Sequence, residues 1–247
     1  MTSALPHFPL GKECFLEQFI DPPPLKLGTP TILINCVAAP INGLPLIFLS
    51  PGAVAKTIET NLHSFFHTLQ VFLPGILSSP TGGTVVTVSS VLSYLTAAGL
   101  SDYTATKAAI TAAHRTLEVE LRVSGDDGRV KTLLVETGQM STPLFEAVET
   151  PNSFFAPILE PVQVVRQIVA VIDSGKGGLI RLPAFAAWVG WYGILPAGIQ
   201  RVARYLSGID GAVRNSTFKK IPEKSQEQLI SSMRSAESDE ELVDIES

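Results

Sequence analysis

Apolar positions along the chain fall into two alternating patterns, short unbroken runs and longer stretches of helical spacing. "TILIN" (31–35), "GTVVTVSS" (83–90), "VKTLLVE" (130–136) and "GGLIRL" (177–182) are the short runs. Each is rich in β-branched residues and bounded by Gly, Pro or charge, and so predicts a buried strand. Between them, 53–77 carries apolar residues at Ile58, Leu62, Phe65, Leu69 and Phe72, which predicts a helix up to Pro74. Residues 101–123 predict a second helix, with Ser101 as N-cap and Gly125 just past its end. Residues 161–175 predict a third, opened by Pro161 and closed by Gly175. Strands that are continuous apolar runs, alternating with helices, mark a parallel sheet covered on both faces. The expected fold is α/β, open and doubly wound, with ligands at the carboxyl ends of the strands.

The termini break this pattern. Residues 1–30 are weakly patterned, and "DPPPLKLGTP" (21–30) cannot hold regular structure for long. Residues 223–247 contain eight acids and two bases, with few large apolar side chains, and predict an acidic disordered tail. The expected organisation is therefore an N-terminal segment (1–30), one domain (31–222) and a tail (223–247).

Charge and composition narrow the function classes. The net charge is −5, from 18 bases and 23 acids. Setting aside the tail leaves 16 bases and 15 acids, so the body is near neutral and shows no basic stripe. Nucleic acid is not expected as a partner. Hydrophobic residues make up 45% of the chain, enough for a sizeable core. The two cysteines, Cys14 and Cys36, are too few for a disulfide framework and suit a reducing compartment. The N-terminus shows no basic stretch followed by an apolar run, so no signal peptide is expected.

Candidate chemistry sits at the second strand and second helix. Tyr103 and Lys107 are four apart and share a helix face. A free phenol titrates near pH 10, and a nearby ammonium favours the phenolate, so the pair makes sense as a proton donor and its tuner. A surface tyrosine lying over a lysine stem is the plain alternative. Ser90 ends the strand thirteen residues before Tyr103. A hydroxyl there faces the same crevice and can hydrogen-bond a substrate oxygen. Asn61 lies mid-helix, where its amide either satisfies itself in the core or holds a water.

These residues resemble the short-chain dehydrogenase/reductase family. "TVSSVLSYLTAAGLSDYTATKAAI" (87–110) is similar to its Ser–Tyr–Lys segment, and the helix with Asn61 resembles the one whose Asn completes the tetrad. "LINCVAAP" (33–40) stands in place of the family's Asn-Asn-Ala-Gly strand end, with Asn35 matching and Cys36, Val37 and Ala38 departing. "LLVETGQMSTPLF" (133–145) is similar to the Pro-Gly segment, with Gly138 and Thr142 matching and Thr137 where Pro is usual. The wording is nearest to the membrane-associated branch of retinol and 17-beta-hydroxysteroid dehydrogenases. The resemblance implies a Rossmann-like fold and hydride transfer between NAD or NADP and a lipophilic alcohol or ketone. It implies Tyr103 as general acid or base, and Lys107 as its tuner and the holder of the nicotinamide ribose. Ser90 would orient the substrate oxygen, Asn61 would anchor a water, and Asn35, Gly138 and Thr142 would line the cofactor site. It also implies a homo-oligomer in the cytoplasm, peripheral on endoplasmic reticulum or lipid-droplet membranes. A catalytically silent homologue that binds or dimerises through 53–77 and 101–123 is the alternative.

Three features stand outside that core. The family opens with a strand and a Gly-rich turn that receives the pyrophosphate, and nothing in residues 1–30 resembles that turn. The expected sheet accordingly lacks its first strands and the Gly-rich turn. His63 and His67 have the spacing of metal ligands, yet no third ligand accompanies them, and no metal site is expected. Between Arg181 and Arg201 lie nineteen uncharged residues, 182–200, interrupted by prolines and glycines. This segment reads as a substrate cover that dips into a membrane surface through Trp188, Trp191 and Tyr192, or as an ordinary apolar lid or dimer contact.

Overall fold

The computed structural model describes residues 30–145, 157–184 and 186–209. Four strands, β1 (Ile32–Asn35), β2 (Gly83–Ser90), β3 (Val130–Thr137) and β4 (Gly178–Leu182), pair in the order β1-β2-β3-β4, all parallel. The fold is α/β and Rossmann-like. Between β1 and β2 run α1 (Pro51–Ile58), a π turn (Glu59–His63) and α2 (Ser64–Ser78). α3 (Ser101–Ser124) joins β2 to β3, and α4 (Pro161–Asp173) leads into β4. α5 (Ala186–Tyr192) and α6 (Ala197–Ser207) follow β4.

Alternate residues of the strands serve opposite faces. Val85 and Val130 pack with Phe65, Leu69 and Ile76 of α2 and with Ile110, Leu117 and Leu121 of α3. Val86, Leu133 and Val135 point the other way, against Val164 and Ile168 of α4 and against Leu159. Among the described residues β1 is an edge strand, and Ile32 and Ile34 on its α4-side face are about half exposed. The N-terminal segment, the tail and any Gly-rich turn lie outside the described residues.

Three helix expectations need correcting. The helix through 53–77 does not bury one regular stripe from Ile58 to Phe72. The π turn inserts a residue's worth of rotation, and the buried positions become Thr57, Asn61, Phe65, Leu69 and Ile76. Nor does the helix stop at Pro74. It runs on to Ser78, because Pro74 and Gln70 four residues earlier are both exposed, so water can serve the carbonyl that proline leaves without a donor. Ser101 is not the N-cap of α3. Leu100 takes that position, and the Ser101 Oγ has no partner among the described residues. Gly125 closes α3 as expected, with φ at +81°, where a side chain would be strained.

Candidate active site

Ser90 is the last residue of β2, in register with Thr137, the last of β3. Its hydroxyl lies 3.2 Å from the Thr137 carbonyl and accepts from Leu92 N at 3.2 Å. This holds Oγ at the carboxyl end of the sheet. α3 begins at the same end, so Tyr103, in its first turn, comes beside Ser90. Tyr103 is 4% exposed, and its ring meets Phe145 edge-on, with centroids 6.1 Å apart. Burial pushes the phenol up to about 12, and the hydrogen bond with Ser90 pulls the other way.

One turn on, Lys107 is 3% exposed. Its ammonium donates to Val88 O at 3.1 Å and sits 5.8 Å from the Tyr103 ring centroid. Burial lowers it to about 8, opposed by a smaller electrostatic contribution from Cys36, just past the end of β1. The spacing predicted that Lys107 would draw the phenol's pKa down. Desolvation prevails instead, because both groups leave water together and the ammonium is directed at a backbone carbonyl.

Asn61 is held in the π turn, 1% exposed. Its Oδ1 accepts from Ala39 N at 2.6 Å, and its Nδ2 donates to Thr106 Oγ1 at 2.9 Å. It thus ties the loop after β1 to α3, one residue before Lys107. The structure brings Asn61, Ser90, Tyr103 and Lys107 to one end of the sheet. Asn35 is placed differently: its amide donates to Thr68 Oγ1 of α2 at 2.8 Å. Gly138 N donates to Leu182 O at 2.7 Å, and a Cβ there would lie 2.9 Å from Pro183 Cδ, so only glycine fits. Thr142 lines a cavity of about 340 Å³ with Gln139, Met140, Ser141, Pro143, Phe145 and Ile158. His63 bonds Glu59 at 2.6 Å and stacks on His67. Among the described residues no three His, Cys, Asp or Glu side chains gather as metal ligands.

Sequence reasoning missed two buried groups. Asp102, 7% exposed, accepts from Asn42 Nδ2 at 2.6 Å and from Thr57 Oγ1 at 2.8 Å. It fastens the first turn of α3 to the loop after β1 and to α1, next to Tyr103. An acid in a first helical turn was visible, and it suits the helix dipole, but no spacing joined it to residues 45 and 60 positions away. Glu136, 1% exposed, takes a 2.6 Å bond from Arg181 Nε and a 2.7 Å bond from Tyr94 OH, which also accepts from Arg115. The charge pair is formed across the end of β3 and β4.

The family model for short chain dehydrogenases matches residues 13–153, more than half of the chain. The chain belongs to that family. The Saccharomyces cerevisiae protein named uncharacterized oxidoreductase TDA5 is 32% identical over 126 residues, 51% of this chain and 38% of that relative. Human retinol dehydrogenase 10 is 31% identical over 149 residues, 60% of this chain and 43% of that relative. The chain thus spans about two fifths of the length of these relatives. Among solved structures, a Burkholderia cenocepacia short chain dehydrogenase in complex with NADP matches with a TM-score of 0.55 and 22% identity, over 72% of this chain and 70% of that one. A 7-alpha-hydroxysteroid dehydrogenase complexed with NADH and 7-oxo glycochenodeoxycholic acid matches with a TM-score of 0.53 and 21% identity, over 64% of each chain. These two likenesses concern the fold.

Proposed function

We propose that this short-chain dehydrogenase is an NAD(P)-dependent oxidoreductase for a lipophilic alcohol or ketone. The observation that carries this reading is the gathering of Ser90, Tyr103, Lys107 and Asn61, each under 5% exposed, at one end of the sheet from three separate elements. A buried phenol at about 12 is a proton donor that stays loaded at neutral pH. In carbonyl reduction the Ser90 and Tyr103 hydroxyls bond the substrate oxygen, and the Tyr103 proton moves to it. Lys107 then restrains the phenolate by its charge, and Asn61 holds the loop and α3 that frame the lysine.

The nicotinamide cofactor, when bound, supplies or accepts the hydride. The residues fit its reactive end. Among the described residues the Lys107 ammonium meets one acceptor, Val88 O, and keeps N–H groups to offer ribose hydroxyls. Thr142, with Gly138 at the base of its segment, lines a cavity in the stretch that follows β3, together with Phe145, which meets the Tyr103 ring. Asn35, turned to Thr68, supports the strand end by way of α2. The name of the human relative suggests retinol as a first probe.

The same reading makes the protein a cytoplasmic homo-oligomer, peripheral on the endoplasmic reticulum or lipid droplets. No helix among the described residues is long and apolar enough to cross a membrane. The test is turnover by the purified chain, with retinol and other lipophilic alcohols against NAD or NADP, and the matching carbonyls against the reduced forms. Nicotinamide turnover abolished by Ser90→Ala supports the reading. A folded sample without turnover on any member of the panel overturns it.

A further inference from the structure

The strand β3 carries one acid, Glu136, and buries it almost completely. A carboxylate inside a sheet is costly unless its oxygens are engaged, and an apolar side chain of similar size would cost less. Both oxygens of Glu136 are engaged. Arg181, its partner in register on β4, donates from Nε to Oε2 at 2.6 Å, and the Tyr94 hydroxyl donates to Oε1 at 2.7 Å. Arg115 of α3 donates to the same Tyr94 hydroxyl and stands 3.7 Å from Glu136. The guanidinium carbons of Arg115 and Arg181 lie 5.6 and 5.8 Å from the centroid of the Tyr94 ring. Tyr94 is thus fixed to the sheet by its hydroxyl and by its ring.

Tyr94 also closes the turn that Ser90 opens. Val91–Ser93 form one turn of 3-10 helix, with Ser90 as its N-cap and Tyr94 as its C-cap. Leu92 N donates to Ser90 Oγ at 3.2 Å, Ser93 Oγ donates to Ser90 O at 2.7 Å, and Tyr94 N donates to Val91 O at 3.1 Å. The direction of the Ser90 hydroxyl therefore depends on where this turn lies, and Tyr94 holds its far end. We propose that Tyr94 is a positioning residue, locked by Glu136, Arg115 and Arg181 so that the turn presents the Ser90 hydroxyl to the substrate oxygen. The role given to Ser90 rests on the oxidoreductase reading above.

The same lock reaches α5. Arg181 donates to Ala187 O at 3.5 Å, and a Cβ on Gly190 would come within 2.9 Å of its Nη2. Ala186 and Val189 of α5 pack on Val91, with Tyr94 and Leu95 beside them, while Trp188 and Trp191 stay exposed. Loosening Tyr94 therefore loosens the loop after Ser90 and α5 together. Burial, and after it the bond with Glu136, pushes the Tyr94 phenol up, so its hydroxyl keeps the proton it donates. Directed hydrogen bonds hold the turn in one orientation, where apolar contact alone would let it shift.

The experiment uses Tyr94→Phe in the full chain, which keeps the ring and removes only the hydroxyl, and reads two quantities. The first is amide hydrogen exchange followed by mass spectrometry. Exchange in 91–100 and 186–192 should rise together by about tenfold, with 161–173 in α4 unchanged. The second is steady-state kinetics on a lipophilic alcohol that the wild type oxidises. There kcat should fall by about tenfold or more, while KM for the nucleotide stays within about twofold. Glu136→Gln, which keeps an acceptor and drops the charge, should move both readouts in the same direction. Exchange in 91–100 that Tyr94→Phe leaves untouched overturns the lock. Faster exchange there with kcat unchanged overturns the positioning role and makes the cluster a support of the fold alone. Faster exchange in α4 as well means general loosening and also overturns it. A wild type without turnover refutes the oxidoreductase reading, and with it the role of Ser90, whereas the exchange data still decide whether Tyr94 locks the turn and α5.

Discussion

α3 and α4 cover opposite faces of the same sheet, and they bury opposite kinds of side chain. α4 sets Val164 and Ile168 against Val86, Leu133 and Val135, an aliphatic contact throughout. α3 buries Asp102, Tyr103, Thr104, Thr106, Lys107, Thr111 and His114, with Ile110 the one aliphatic side chain among them, before it reaches the apolar Leu117 and Leu121. Its polar half lies at the carboxyl end of β2, where Ser89 bonds Thr111 at 2.7 Å and donates to Lys107 O at 3.2 Å. Farther along, His114 bonds Thr87 at 2.8 Å. An interface of hydrogen bonds between side chains fixes orientation, whereas an interface of methyl groups fixes only distance and shape. The proposed proton transfer needs defined directions, and it falls on the face whose carboxyl end is polar, whereas the α4 face contributes apolar burial alone.

The largest effect that sharpens this contrast is Tyr103→Phe. It should lower kcat by about 10²–10⁴-fold while leaving the unfolding transition near its place, since only the phenolic oxygen is lost. Steady-state kinetics beside thermal melting reads both, and retention of most of the turnover would remove Tyr103 from the chemistry.

On the α4 side the balance reverses. Leu133→Ala, at a side chain with no exposure, should cost about 2–5 kcal/mol of stability by denaturant titration. The kcat of the protein that remains folded should be little changed. A collapse of kcat at full stability would break the proposed division between the faces.

The third effect comes from pH. His114 is wholly buried, and burial, with Arg115 beside it, lowers its pKa to about 4 from 6.5. The unfolded chain takes up that proton first, so stability is lost as pH falls from 6.5 to about 4, by about 3 kcal/mol. Lys107, lowered to about 8 from 10.5, likewise makes stability rise as pH climbs from about 8 towards 10.5. Denaturant titrations across pH measure both limbs, and His114→Leu should flatten the acid one. An unchanged acid limb in that variant would assign the loss to other groups.

The smallest effect concerns the anchor beside the tyrosine. Asp102→Ala removes the carboxylate that accepts from Asn42 and Thr57, leaving Thr57 its bond to Ala53 O at 3.1 Å and Asn42 its longer contact to Thr57 Oγ1 at 3.3 Å, and should cost about 1–3 kcal/mol. Because α3's first turn then loses its ties to α1 and to the loop after β1, kcat should also fall, with KM moving less. A stability loss with kcat and KM both intact would leave Asp102 a purely structural residue.

The four strands, the C-terminal end of the second helix and the course of the third were legible in the sequence because they depend on local pattern. An apolar run such as "GTVVTVSS" is a strand whatever its neighbours are, and Gly125 ends α3 through its own φ. Ser90, Tyr103 and Lys107 were legible too, since a strand end and the start of the next helix in a parallel sheet must share one end of the fold. What depends on partners far away in the chain was decided by tertiary structure alone. The π turn that buries Asn61 lies where the loop at Ala39 donates to its amide oxygen and α3 accepts from its amide nitrogen. Asn35 turns to Thr68, and Asp102 gathers Asn42 and Thr57. The phenol of Tyr103 rises to about 12 although a lysine lies one turn away. Spacing can set two groups side by side, but only packing determines how much water is left around them, and the loss of that water decides the charge.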